Sequence, residues 1–353
     1  MTVRRWFGYG ATLVAASVVL AGCSPAPESG GDDAASDSCV RMVTNSGGLE
    51  DRSFNQASWE GLQDAESEYG IDAEAIVSTG ETDLAPNVQQ AVDSGCELIV
   101  TVGWELADAT LTQAGDNPDL AFAIVDETVE ADNVKPVVFD TAQASFLAGY
   151  LAAGVSKTGV VATFGGGNQP PVTLFMDGFV DGVAEYNRAH GTAVRVLGWD
   201  KAAQDGAFTG DFEDINKGKA LTESLIDQGA DVILPVAGQV GEGTISAALE
   251  RGGVSVIWVD SDGYESLAEE FRPVLLTSVL KNTQDAMVEI VGAVLDDTFT
   301  NEPYVGTLGN GGVEIAPYHD LAPLVSAELD AEIQDLRERI ISGDLVVESP
   351  SAP

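Results

Sequence analysis

Two aspartates stand where a carboxylate can meet a ligand. Asp126 directly follows the apolar run 121–125, and Asp260 directly follows the apolar run 254–259. Each run reads as a buried strand, so both acids are offered at strand carboxyl ends, where open α/β sheets bind their ligands. An ionised carboxylate only accepts hydrogen bonds, and its two oxygens suit a pair of vicinal hydroxyls such as a sugar ring carries. The competing reading is that each acid caps the helix after it. Lys281 closes Thr277-Ser278-Val279-Leu280-Lys281 and supplies a cation that can answer both acids. Asn45, Phe54 and Asn55 add two amides and an aromatic ring within one strand-to-helix connection. Trp104, after Gly103, is a further aromatic at a strand end and a candidate rim residue.

The groups that break bonds are scarce. The chain has only two histidines, His190 and His319, with no pair at H-x-x-x-H spacing, and no free exposed cysteine is expected, so zinc and thiol chemistry lack their groups. His190 precedes Gly191 at the end of a helical stretch, where it reads as a C-terminal cap; His319 reads as loop. Gly218-Lys219 is followed by Ala220 and has no P-loop glycine before it. Gly165-Gly166-Gly167 allows close backbone approach after the strand ending at Phe164, but it lacks dinucleotide spacing. It reads either as cleft lining or as a simple turn. No cofactor and no catalytic residue is expected, and a hydrolase would need a base beside a nucleophile.

The elements that must position these residues follow a βα rhythm. The short apolar run 40–43 ends in Thr44, consistent with a buried parallel strand. After the loop, Ser53 and Gln56 have capping-box spacing, which predicts a Ser53 hydroxyl accepting from a free backbone N–H and places Phe54 and Asn55 in the first helical turn. Helices 53–69 and 85–94 stop at Gly70 and Gly95. Apolar strands are expected at 98–102, 121–125, 137–139, 159–164, 193–197, 232–236, 254–259 and 274–276, with a long helix at 326–341. Such alternation means parallel sheets with right-handed crossovers. About 300 ordered residues exceed what one core usually holds. The fold class is therefore α/β, with two Rossmann-like lobes side by side.

The ends of the chain point to export. Residues 1–22 carry Arg4 and Arg5, an apolar stretch at 11–20 and then Leu20-Ala21-Gly22-Cys23. That stretch is too short to span a membrane comfortably and has the layout of a cleaved signal. Cys23 after the small pair reads as a lipobox; a plain secretory signal with an incidental cysteine is the alternative. Residues 23–38 are Ser, Gly, Pro, Ala and acid without periodicity, a flexible tether. Cys39 begins the first strand and Cys96 directly precedes the third-strand region. Neighbouring parallel strands would set their starts side by side, and an exported compartment permits oxidation, so a Cys39–Cys96 disulfide is predicted over two buried thiols. The net charge is −41, and loss of a segment with two arginines and no acids would bring it to −43. Dispersed acids on that scale argue against nucleic acid as a partner and against adhesion to anionic lipid.

The wording of 43–56, with Phe146-Leu147-Ala148-Gly149-Tyr150-Leu151-Ala152, Phe212-Glu213-Asp214-Ile215-Asn216-Lys217-Gly218-Lys219 and Leu276-Thr277-Ser278-Val279-Leu280-Lys281, resembles the basic membrane protein family of substrate-binding lipoproteins, whose best understood type is the purine nucleoside receptor. The resemblance runs from about Cys39 to about Asp344. It implies the type I periplasmic-binding fold, with a three-segment hinge placed near Asp140, Ser278 and Tyr304. Residues 39–140 plus 279–303 would then form lobe 1, residues 141–278 plus 304–345 lobe 2, and 346–353 a disordered tail. It also implies lipidation of Cys23, a location on the extracytoplasmic face of the cell membrane, and ABC permease and ATPase subunits as partners. The ligand would be a nucleoside, a purine nucleoside by the family's type, with a sugar receptor or a sensor subunit as alternatives. By the same resemblance Phe54 and Phe212 stack the base, Asp126, Asp260 and Lys281 hold the ribose, and Asn45, Asn55 and Gly238 complete the binding set; Phe208 competes for the part given to Phe212. Asn45 departs from the family's usual aspartate, since an asparagine both donates and accepts.

Overall fold

A computed structural model describes residues 38–353 of the chain. The expected signal peptide 1–22, the lipidation site Cys23 and all of the tether except Ser38 lie outside the described residues.

The first lobe begins with β1 (Cys39–Thr44), α1 (Phe54–Tyr69), β2 (Asp72–Ile76), α2 (Glu81–Asp93), β3 (Leu98–Val102), α3 (Ala107–Asp116), β4 (Ala121–Val125) and β5 (Val134–Phe139). The chain then enters the second lobe with α4 (Thr141–Val155), β6 (Val160–Gly165), α5 (Pro170–His190), β7 (Arg195–Leu197), β8 (Trp199–Asp200), β9 (Asp205–Gly206), α6 (Ile215–Asp227), β10 (Val232–Val236), α7 (Val240–Arg251), β11 (Ser255–Asp260), α8 (Gly263–Ser266) and β12 (Leu275–Lys281). It returns for α9 (Thr283–Leu295) and β13 (Tyr304–Gly306), and ends with β14 (Val313–Ile315) and α10 (Ala327–Ser342).

One six-stranded sheet has the order β13-β5-β4-β3-β1-β2, all parallel; the other has the order β14-β12-β11-β10-β6-β7, with only β14 antiparallel to its neighbour. The middle strands are buried throughout and almost wholly apolar because both faces are covered by helices: every residue of β3 and of β10 is buried. The Cys39–Cys96 disulfide ties the start of β1 to the residue pair preceding β3, where the register sets Val40 beside Leu98.

Four features differ from the sequence expectation. The edge strand β2 was not expected, because Asp72 and Glu74 point outward and break the apolar run. β12 runs on to Lys281 rather than stopping near residue 276, so the second crossing falls after Lys281, at Asn282, and not near Ser278. Its polar members are buried with partners: Thr277 Oγ1 donates to the Ala316 carbonyl at 2.6 Å, and Ser278 Oγ accepts from Gly263 N–H at 3.0 Å. β13 pairs with β5 in the first sheet, so the third crossing lies at 307–312, beyond Tyr304. The C-terminal end is also tied down rather than frayed. Ser349 Oγ donates to Asp177 Oδ2 at 2.6 Å, Ser351 and Thr173 share a hydroxyl bond of 2.8 Å, and Val347 is buried. Asp177 is fully buried and needs the Ser349 hydroxyl, together with Trp199 Nε1 and Gln204 Nε2, as donors.

Candidate functional site

β1 delivers the chain into a loop whose fold is organised by Asp51. Its Oδ1 accepts from the backbone N–H groups of Ser53 (3.1 Å) and Gln56 (3.0 Å), and its Oδ2 accepts from that of Asn55 (2.7 Å). Asp51, not Ser53, therefore satisfies the free N–H groups at the start of α1, and the expected capping box is replaced. Gln56 turns to Glu60 instead (2.8 Å), while the Ser53 hydroxyl donates across the cleft to Asp260 Oδ2. Burial pushes the Asp51 carboxyl up to about 6 against the pull of its three N–H donors, with the charge of Asp260 adding to the rise.

All eight candidate ligand residues, Asn45, Phe54, Asn55, Asp126, Phe212, Gly238, Asp260 and Lys281, line one cavity of about 320 Å³ between the lobes. That is within the range of small-molecule sites. The first lobe contributes Asn45, Phe54, Asn55 and Asp126, and the second contributes Phe212, Gly238, Asp260 and Lys281. Asp126 and Asp260 both have left-handed backbone, with φ of 62° and 67°. Non-glycine residues in this region are uncommon and gather where function holds them.

Lys281 joins the two acids. Its Nζ lies 2.5 Å from Asp126 Oδ2 in the first lobe and 3.5 Å from Asp260 Oδ1 in the second. Three rings surround the ammonium: the centroids of Phe54, Phe175 and Phe139 lie 5.1, 5.4 and 5.8 Å away, within cation–π range. Burial alone would favour the neutral amine, but the two carboxylates more than offset it and hold the Lys281 pKa above its ordinary value.

Phe212, rather than Phe208, lines the cavity. Phe208 packs edge-on to Trp199 at 5.9 Å. The Phe212 ring lies so close to Gly166 that a Cβ there would come within 2.4 Å of it, which accounts for one residue of the glycine triplet. Gly167 itself lines the cavity, and Trp104, 40% exposed, sits at the rim. Other lining residues escaped the sequence reading. Asp51, Glu105 and Phe175 are among them; Glu105 directly follows Trp104 after β3, and that strand-end position was the available signal. His190 pairs with Glu332 at 3.0 Å and His319 with Asp262 at 2.7 Å; neither residue lines the cavity. Among the described residues no cluster of His, Cys, Asp and Glu is placed to hold a metal ion, and no helix is long and apolar enough to cross a membrane.

Two doubly wound lobes with a polar and aromatic cavity between them have the type I periplasmic-binding fold. The structure aligns with that of ABC transporter system solute-binding proteins from Aeropyrum pernix K1 at a TM-score of 0.77 and 23% identity, over 88% of this chain and 94% of that one. A solute-binding protein of Conexibacter woesei gives 0.69 at 22% identity, over 90% and 100%. A family model described as Bmp, ABC transporter substrate-binding protein PnrA-like, matches residues 39–350. The chain belongs to that family and is an ABC transporter substrate-binding protein. Its curated relatives include a CD4+ T-cell-stimulating antigen of Listeria innocua, 30% identical over 98% of both chains. An ABC transporter nucleoside-binding protein, BmpA, of Lactococcus lactis is 29% identical over 98% of this chain and 99% of its own. Family membership implies a small-molecule ligand, permease and ATPase partners, and work on the extracytoplasmic side of the membrane.

Proposed function

We propose that this protein is a lipid-anchored receptor that captures a nucleoside between its lobes and hands it to an ABC permease. The observation that carries the reading is the division of the cavity. Phe54 and Phe212 line it from opposite lobes, and the two acids about the buried Lys281, Asp126 and Asp260, offer charged acceptors for vicinal hydroxyls. A base stacking on such rings gains on the order of 1–3 kcal/mol per contact. The name of the Lactococcus relative supports the ligand class. No bond is made or broken. Ligand favours the closed arrangement of the lobes, and release accompanies opening.

Phe54→Ala should weaken nucleosides and free bases alike, whereas Asp260→Asn should weaken ribosides and leave free-base binding nearly unchanged. Losing a charged acceptor costs roughly 1.5–3 kcal/mol, or about ten- to a hundredfold in affinity. Calorimetry with inosine, guanosine, adenosine, cytidine, ribose and free purine measures both. Ribose or glucose binding at least as tightly as any nucleoside, and indifferent to Phe54→Ala, would make this a sugar receptor instead. The anchor is a separate matter. Cys23→Ser should move the protein out of the detergent phase; a variant still held in membranes after a high-salt wash would contradict lipidation at Cys23.

A further inference from the structure

The cavity has a second polar region built around Asn45, Asn55 and Glu105. Asn45 Oδ1 accepts from Asn55 Nδ2 at 2.8 Å and from the backbone N–H of Gly47 at 3.4 Å. A backbone N–H can only donate, so the Asn45 amide is fixed with its oxygen toward Asn55 and its nitrogen on the side of Gly103 and Glu105. Asn55 must then spend its own nitrogen on Asn45, which leaves its oxygen over. The outcome is two buried oxygens without partners, Asn55 Oδ1 and Glu105 Oε2. Gln169 Oε1, from the second lobe, is a third on the same cavity. Among the described residues no buried side-chain nitrogen lacks a partner. Glu105 can occupy this place because Gly103, directly after β3, has φ of 111° and no side chain: a Cβ there would come within 2.7 Å of Glu105 Oε2 and 3.0 Å of Asn45 Nδ2.

We infer, granting the nucleoside reading above, that this region selects a base edge carrying adjacent N–H donors, and that Glu105 sets the selection. Among common nucleobases the guanine edge fits, with its ring N1–H beside its exocyclic amine. Hypoxanthine keeps the ring N–H but lacks the amine. Adenine turns the N1 lone pair toward the carboxylate, acceptor against acceptor. A site that hydrogen-bonds a ligand N–H strongly rejects the analogue lacking it, because the protein group is left unpaired. Asn55 is only 1% exposed, so water is a poor substitute at that oxygen.

Calorimetry of the full mature chain with guanosine, inosine and adenosine tests this. Guanosine should bind about tenfold or more tighter than inosine and about a hundredfold tighter than adenosine. Glu105→Gln should shrink the guanosine–adenosine gap by about tenfold or more, since the amide can turn a donor toward adenine N1. Three nucleosides binding within about threefold of one another on the unmodified protein, or a gap untouched by Glu105→Gln, would overturn the inference alone. Absence of binding by every nucleoside would instead bring down the nucleoside reading and this inference with it. The ranking on the unmodified protein decides the matter even if the variant folds poorly.

Discussion

Lys281 holds the two lobes to a common charge arrangement. It is 4% exposed and makes its contacts with one carboxylate of each lobe. A buried ammonium carries a large desolvation penalty, and the two acids carry their own, so none of the three is tolerable without the others. Lys281→Met preserves the stem but leaves two largely enclosed carboxylates without their shared cation. Urea unfolding should then show a loss of about 3–5 kcal/mol, partly recovered when Asp126→Asn is added to the same chain. A loss below about 1 kcal/mol would mean that water enters this region and that the charges are not mutually dependent. At the same scale, Asp126, Asp260, Lys281 and Phe54 were legible in the sequence because each ends an apolar run or opens a helix. Asp51 and Glu105 were not. They are two of 57 acids; Glu105 offered only its place just after the strand 98–102, and for Asp51 nothing local distinguishes an acid folded inward by a loop from one left in solvent.

The element that most shapes the cleft is the connection from β1 into α1, and Asp51 is its organising group. Because burial raises its carboxyl from the ordinary 3.8 to about 6, the native state holds this proton more tightly than the unfolded chain does. Its contribution to stability is full below about pH 4 and is lost as the pH climbs through 6, a change of about 3 kcal/mol. Asp51→Asn does not titrate, so the stability advantage of the natural chain over this variant should fall between pH 4 and pH 6. Denaturant unfolding across that range measures it; a constant or growing advantage would contradict the assignment. The capping box expected at Ser53 shows where element reading stops. Its spacing was right for a helix start, but a carboxylate two residues earlier captured the N–H groups and released the serine to reach Asp260. Strands that are apolar because they are buried on both faces, β3, β4, β10 and β11, were legible for that reason. β2, with acids on its outer face, and the polar half of β12 depend on partners far along the chain, and no local pattern announces them.

At the scale of the molecule, the lobes meet through the same loop. The carbonyl of Arg52, a residue with φ of 59°, accepts from Ser261 Oγ at 2.8 Å, Trp258 Nε1 at 3.2 Å and Ser266 Oγ at 3.3 Å, all from the second lobe. Together with the Ser53–Asp260 and Lys281–Asp126 contacts, these are bonds between the lobes that must break when the lobes part. Closure and capture are therefore linked, because the acids that would hold a ligand are also those that join the lobes. The α/β class and the two-lobe arrangement could be read from alternating runs and chain length. The first crossing lies at Asp140 as expected, while the second and third were displaced by several residues, because sheet membership is decided by pairing across the fold. The central claim is that the trapped solute is a nucleoside. Protein purified under native conditions from its own cells, denatured, and its released small molecules analysed by mass spectrometry, should yield a nucleoside in an amount approaching one per protein chain. Recovery of a free sugar or another class of solute at that stoichiometry would contradict the account.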